Sequence, residues 1–284
     1  MDIKNIGVVG CGLMGSGITL VAAGAGYQVT ASEVNESLLN RGISSISRSL
    51  NIDVRRRRIT QEEMDAVMSR IRGTTTLSDF AGCDLVIEAV AENMNMKKGV
   101  FAELDKICPG HCILATNTSC LSVSEIAGVT ARPEKVLGLH FFNPVPLMKL
   151  LEVVKTNLVS DEVVQSGEQF GKSIGKTTIL APDTPGFIVN RLLIPFMVGA
   201  FRMAEQGLAT REDIDEGSRL GLGHPMGPLK LADLVGLDTV LYIANAIYER
   251  LQDPLYEPPA ILKELVAQGN LGRKSGKGFY EYRH

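Results

Sequence analysis

One short segment near the amino terminus limits what this chain can fold into. Residues 6–9, Ile-Gly-Val-Val, have the length and apolar content of a buried strand. Residues 14–25 repeat small and apolar side chains at helical spacing, and residues 28–32 form a second strand candidate. Two strands joined through a helix lie parallel, because only a crossover can bring the chain back to the starting edge. Further strand candidates at 85–89, 112–115 and 136–142 alternate with helical patterns such as 97–106. Two more, at 150–154 and 177–180, flank a helix spanning about 161–171 and would extend the sheet at its edge.

The turn inside that first unit is Gly10-Cys-Gly-Leu-Met-Gly15, a G-x-G-x-x-G spacing that follows a strand and opens a helix. Gly10 makes the tight turn, Gly12 lets a pyrophosphate approach the backbone, and Gly15 lets helix and strand pack. The helix start at Leu13 and Met14 supplies free N–H groups and a positive dipole end. The second strand ends beside Glu33, at the distance expected for a carboxylate that accepts hydrogen bonds from ribose hydroxyls. Such a group repels a 2′-phosphate, and no arginine follows it directly, so NAD is expected over NADP. The predicted class is therefore α/β, a Rossmann-type, doubly wound, mostly parallel sheet.

The texture changes at Asp183-Thr-Pro-Gly-Phe187. Thr184 can cap a helix and Pro185 can occupy its first turn, so a long helix is expected to start there and to bend at Pro195. From this point to about residue 269 the pattern is helical with no convincing strand. The expected division is 1–184, a dinucleotide-binding domain, and 185–284, a smaller all-helical domain.

Of four histidines, His111 falls in a loop, His224 in a Gly-Pro-rich turn and His284 at the last residue. His140 differs, because it lies near the carboxyl end of a parallel strand, where such sheets build their sites, and Glu152 can face it from the adjacent strand. Asn117-Thr-Ser-Cys120 follows another strand and opens into a helical segment, so Ser119 reads equally as a helix cap or a ligand contact. Cys120 reads as a small buried filler, and Asn190 as a polar position early in the long helix. Arg55-Arg-Arg-Arg58 is the one dense basic run. It reads as a solvated helix face, as a nucleic-acid or localisation patch, or, more economically in an acidic chain with a nucleotide site, as a phosphate contact for a large substrate. The tail Gly272-Arg-Lys-Ser-Gly-Lys-Gly-Phe279 reads first as a turn before a short strand, with Lys274 able to reach a phosphate.

A formal charge of -3 argues against a nucleic-acid surface. Five cysteines without paired spacing favour neither disulfides nor a zinc site and fit a reducing, cytoplasmic setting. No leader precedes the first strand, and the longest apolar segment, 192–201, is about half of a bilayer span, so no membrane partner is expected.

Taken together, GCGLMGSG from Gly10, ATNTS ending at Ser119, GLHFFNPVPLMKLLEVV from Gly138, DTPGFIVNRLL from Asp183, HPMGPLKLADLVGLD from His224 and GKGFYEY from Gly276 resemble the L-3-hydroxyacyl-CoA dehydrogenase family nearly end to end. The resemblance implies His140 as catalytic acid and base, Glu152 as its partner, and Ser119 and Asn190 as groups that place the substrate. It implies cofactor contacts from Gly10, Gly12, Leu13, Met14, Gly15, Glu33, Glu92, Lys97, Asn117, Ser119, Asn143 and Lys274, with no metal. Acyl-CoA contacts are implied near Ser49 and Arg56, and a homodimer through the helical domain. Two departures are visible: Glu33 stands where many relatives carry Asp, and Cys120 where many carry Ser. The activity implied is interconversion of a short-chain (S)-3-hydroxyacyl-CoA and its 3-ketoacyl-CoA with NAD. The rival readings are a relative acting on a 3-hydroxy acid or sugar acid without coenzyme A, and a non-catalytic NAD-binding regulator.

Overall fold

The computed structural model describes residues 2–282, so Met1, Arg283 and the terminal His284 lie outside it. The chain divides into two compact units between Asp183 and Thr184.

The first unit is built on one eight-stranded sheet. In chain order its elements are β1 (Asn5–Val9), α1 (Leu13–Gly24), β2 (Gln28–Ser32), α2 (Glu36–Arg55), α3 (Gln61–Ser69), β3 (Ile71–Thr74), β4 (Leu85–Glu88), α4 (Met94–Ile107), β5 (Ile113–Thr116), α5 (Val123–Ala127), β6 (Val136–Phe141), β7 (Leu150–Lys155), α6 (Asp161–Ser173) and β8 (Thr177–Pro182). The spatial order is β3-β2-β1-β4-β5-β6-β7-β8. All pairs are parallel except β6 with β7. The doubly wound, mostly parallel sheet agrees with the sequence pattern. The order reverses between β1 and β4, and the crevice at the carboxyl ends of such a switch point is where these sheets take ligands.

The apolar runs are buried as a two-sided sheet requires: every residue of β4, β5 and β6 is buried. Caps fix where the helices begin. Asn35 accepts from the Leu38 N–H at the start of α2, and Thr60 and Glu63 form a reciprocal capping box on α3.

The sequence pattern marks no strand between residues 32 and 85, where the structure has β3. This four-residue strand, Ile-Arg-Gly-Thr, lies at the sheet's edge with Arg72 and Gly73 exposed, so no apolar alternation announces it.

The second unit is helical: α7 (Val189–Glu205), α8 (Arg211–Glu216), α9 (Pro228–Val235), α10 (Leu237–Leu251) and α11 (Ala260–Ala267). They close on a core that includes Ile194, Phe201, Leu229, Val240, Ile247 and Phe279. The long helix starts at Val189, later than the Thr184–Pro185 start expected from the sequence. Gly186 and Phe187 take positive φ values of 77° and 48°, and such left-handed residues cannot continue a helical turn. Pro195 sits inside α7, which runs on to Glu205. The basic tail forms a single tight turn at Arg273–Ser275 and isolated bridges in place of the expected short strand. No single helix among the described residues is long and apolar enough to cross a membrane.

Candidate active site

His140 and Glu152 are directly opposed in the antiparallel β6–β7 ladder, so their side chains leave the same face of the sheet. His140 Nδ1 lies 2.6 Å from Glu152 Oε2, and the two side chains are 4% and 0% exposed. An ionised carboxylate only accepts hydrogen bonds, so Nδ1 carries the proton and Nε2 is left as the working nitrogen. Next to His140, the Phe141 N–H donates to Asn117 Oδ1 at 2.9 Å. Asn117, expected as a cofactor contact, thereby ties the end of β5 to the strand that carries the histidine.

The loop after β5 is held from the other side by Glu92. One carboxylate oxygen accepts from the Thr118 hydroxyl at 2.5 Å and the Ser119 N–H at 2.8 Å. Ser119 is not a helix cap, since that place belongs to Ser122, whose side chain accepts from the Glu125 N–H. Asp183 completes the start of α5, with its carboxylate accepting from the Val123 and Ser124 N–H groups at 3.0 and 2.8 Å.

Lys97 reaches both Glu88 at 2.7 Å and Glu92 at 3.3 Å, with its own side chain 1% exposed. Glu88, at the end of β4, is wholly buried. It also accepts from the Thr116 hydroxyl and the Val90 N–H, each at 2.7 Å. The sequence pattern hid Glu88 inside an apolar strand, although a carboxylate ending a fully buried run is itself a signal that a cation must meet it.

The glycine turn fits a dinucleotide. Gly10 has φ of 91°, and a Cβ on Gly15 would fall on the Gly10 carbonyl, whereas nothing lies within 4 Å of the place a Cβ on Gly12 would take. A ligand's phosphates can therefore approach the backbone at Gly12, facing the start of α1, whose first turn holds no acidic residue and no side-chain cap. Glu33 Oε1 accepts from the Cys11 N–H at 2.8 Å, which fixes the carboxylate beside the turn. Burial, with Glu33 adding to it, pushes the Cys11 thiol up to about 11, so this cysteine is an inert filler.

A groove of about 270 Å³ runs between α1, α2 and the connection from β6 to β7. Leu13, Ser16, Ser49, Arg58 and residues 143–147, including Asn143, line it. Ser49, expected as an acyl-CoA contact, is among these lining residues. Arg56, the residue singled out from the basic run, caps the end of α2 and does not line the groove. Arg58 does, because Arg57 turns the chain with φ of 55° and lets Arg58 fold back onto Asp53 at 3.1 Å.

In the helical unit, Asn190 is buried in the first turn of α7. Lys274 is held by both oxygens of Asp238 at 2.6 and 2.7 Å.

Family models match both units: residues 5–184 fit the 3-hydroxyacyl-CoA dehydrogenase NAD binding domain, and residues 186–282 the C-terminal domain of the same family. A 3-hydroxybutyryl-CoA dehydrogenase of Mycobacterium tuberculosis is 44% identical over 99% of both chains. A probable 3-hydroxybutyryl-CoA dehydrogenase of Bacillus subtilis is 45% identical over 99% of this chain and 98% of its own. The crystal structure of (S)-3-hydroxybutyryl-CoA dehydrogenase from Ralstonia eutropha superposes with a TM-score of 0.96, at 38% identity and full coverage of both chains.

Proposed function

The chain belongs to the 3-hydroxyacyl-CoA dehydrogenase family, and on that premise we propose that it interconverts (S)-3-hydroxybutyryl-CoA and acetoacetyl-CoA with NAD. The observation that carries this reading is the buried, directly opposed His140–Glu152 pair at the carboxyl edge of a sheet whose glycine turn fits a dinucleotide.

When bound, NAD supplies the hydride acceptor for the alcohol and, reduced, the hydride donor for the ketone. The protein handles the proton. In oxidation, neutral His140 accepts the C3 hydroxyl proton at Nε2 while Glu152 holds the ring in that tautomer and stabilises the imidazolium. In reduction, the imidazolium returns the proton to the C3 oxygen. Ser119 and Asn190 are proposed to place the substrate, and alignment of this kind is a large part of such catalysis. Glu92, Lys97, Asn117, Asn143 and Lys274 are proposed as the cofactor's surroundings, with Glu92 and Lys97 acting through the loop they hold. For the coenzyme A end of the substrate we assign the groove beside Ser49 and give the phosphate contact to Arg58 along with the exposed Arg56.

Consumption of NADH with acetoacetyl-CoA, and none with free acetoacetate, is the expected result. Equal rates with both would transfer the activity to acids without coenzyme A, and no consumption with either would leave a binding protein. NADH is also expected to outperform NADPH, and Glu33→Ser to narrow the gap by removing the charge that opposes a 2′-phosphate. Equal use of both cofactors by the unmodified protein would remove that role from Glu33.

The helical unit leaves Leu192, Leu208, Leu220 and Leu222 between 63% and 70% exposed. An apolar groove of about 490 Å³ alongside is lined by Phe196, Met203 and Leu222. So much apolar surface supports a homodimer through this unit. Sedimentation should give a dimer for the native chain and a shift toward monomer for Leu222→Asp; a native monomer would refute the assignment. The five cysteines are all buried free thiols, which supports a reducing, cytoplasmic setting.

A further inference from the structure

We propose that Lys176 is a positioning residue for the site: it holds the connection between β6 and β7 where that connection forms one wall of the groove assigned to coenzyme A. The proposal rests on that assignment.

Lys176 precedes β8 and is 8% exposed. Its ammonium donates to the carbonyl oxygens of Val145 at 2.5 Å and Met148 at 2.6 Å. Burial displaces its pKa downward. A buried ammonium is costly to keep even when hydrogen-bonded. Here its acceptors are two carbonyls of a single loop, so what the lysine supplies is the place of that loop.

The loop is also held elsewhere. The Leu147 and Met148 N–H groups both donate to the Pro144 carbonyl at 3.0 Å, and the Thr177 N–H donates to the Lys149 carbonyl at 2.7 Å. On its far side, buried Val145 presses on Gly17 of α1 so closely that a Cβ there would stand 2.8 Å from the Val145 Cβ. The loop is therefore fixed between a cation on one side and a helix on the other. Residues 143–147 face the groove with Leu13, Ser16 and Ser49. His140 and Glu152 stand apart from this adjustment, because the β6–β7 register fixes them. Freeing the loop should thus disturb binding, of substrate in the groove and of cofactor through Asn143, and leave the proton-transfer pair in place.

The test measures acetoacetyl-CoA affinity by calorimetry without cofactor, together with KM and kcat, for the native enzyme, Lys176→Met, and Lys172→Met as a surface control. Lys176→Met should weaken binding and raise KM by about tenfold, with kcat per folded molecule nearly unchanged, the signature of lost uniform binding. Gly17→Ala, which displaces the loop from the opposite side, should do the same and serves if Lys176→Met does not fold. Lys172→Met should change nothing. Either folded variant with native affinity and KM would overturn the proposal, even with a lowered Tm, since that outcome describes a merely structural lysine. A native enzyme inactive with acetoacetyl-CoA would instead overturn the functional reading on which it rests.

Discussion

Replacing His140 with Gln is expected to lower turnover in both directions by about 10²- to 10⁴-fold, the usual worth of a positioned acid and base, while NADH still binds. The size follows from the surroundings. Among the described residues His140 is the one histidine held by a buried carboxylate on an opposed strand, and Gln can hydrogen-bond to Glu152 but cannot carry a proton to or from substrate. The glycine turn and Glu33, which the cofactor is expected to meet, lie after β1 and β2 and keep their geometry. Steady-state rates with acetoacetyl-CoA and a fluorescence titration with NADH check the two halves together. Near-native turnover in the variant would take the proton-transfer role away from His140.

The largest stability effect is expected at Lys97. In Lys97→Met the wholly buried Glu88 keeps its Thr116 and Val90 donors but loses the cation that meets it, and stranding a buried charge in this way costs about 3–5 kcal/mol. Glu88→Gln should cost less, because Lys97 then keeps Glu92 at 3.3 Å. The double variant Glu88→Leu/Lys97→Met should recover much of the loss, since it leaves no charge at the wholly buried position, while Glu92, 24% exposed, keeps its Thr118 and Ser119 donors. Urea unfolding of the four proteins measures all three comparisons. Equal stability of Lys97→Met and the native chain would show that the buried pair contributes no net stabilisation. The same variant should also loosen the loop at Thr118 and Ser119, which Glu92 holds.

Where the chain's own local chemistry decides the structure, the sequence shows it. Apolar runs bounded by turns mark seven of the eight strands, and the glycine spacing marks the switch-point turn between β1 and α1. His140 and Glu152 are legible because their strands are consecutive, so a short antiparallel connection brings them opposite each other. What stayed hidden depends on partners distant in sequence or on backbone conformation. β3 is four half-exposed residues that owe their strand form to pairing with β2. The late start of α7 follows from left-handed geometry at Phe187, which no propensity predicts for an aromatic residue. Glu88 is explained only by Lys97 and Thr116. Asp183 is explained only by the start of α5, some 60 residues earlier. Arg58 lines the groove and Arg56 does not, because the left-handed Arg57 lies between them. Lys176 is visible only once the loop it holds has been folded.

The central claim is that one imidazole, governed by one carboxylate, carries the proton of a reversible hydride transfer. The pH dependence of kcat in the two directions, for the native enzyme and Glu152→Gln, tests it most directly. Ketone reduction needs the imidazolium and should fade as pH rises, whereas alcohol oxidation needs the neutral ring and should fade as pH falls. Glu152 favours the charged ring, so its loss should move both midpoints to lower pH. Opposed profiles that shift together in the variant are the predicted result; profiles that Glu152→Gln leaves in place would contradict the account.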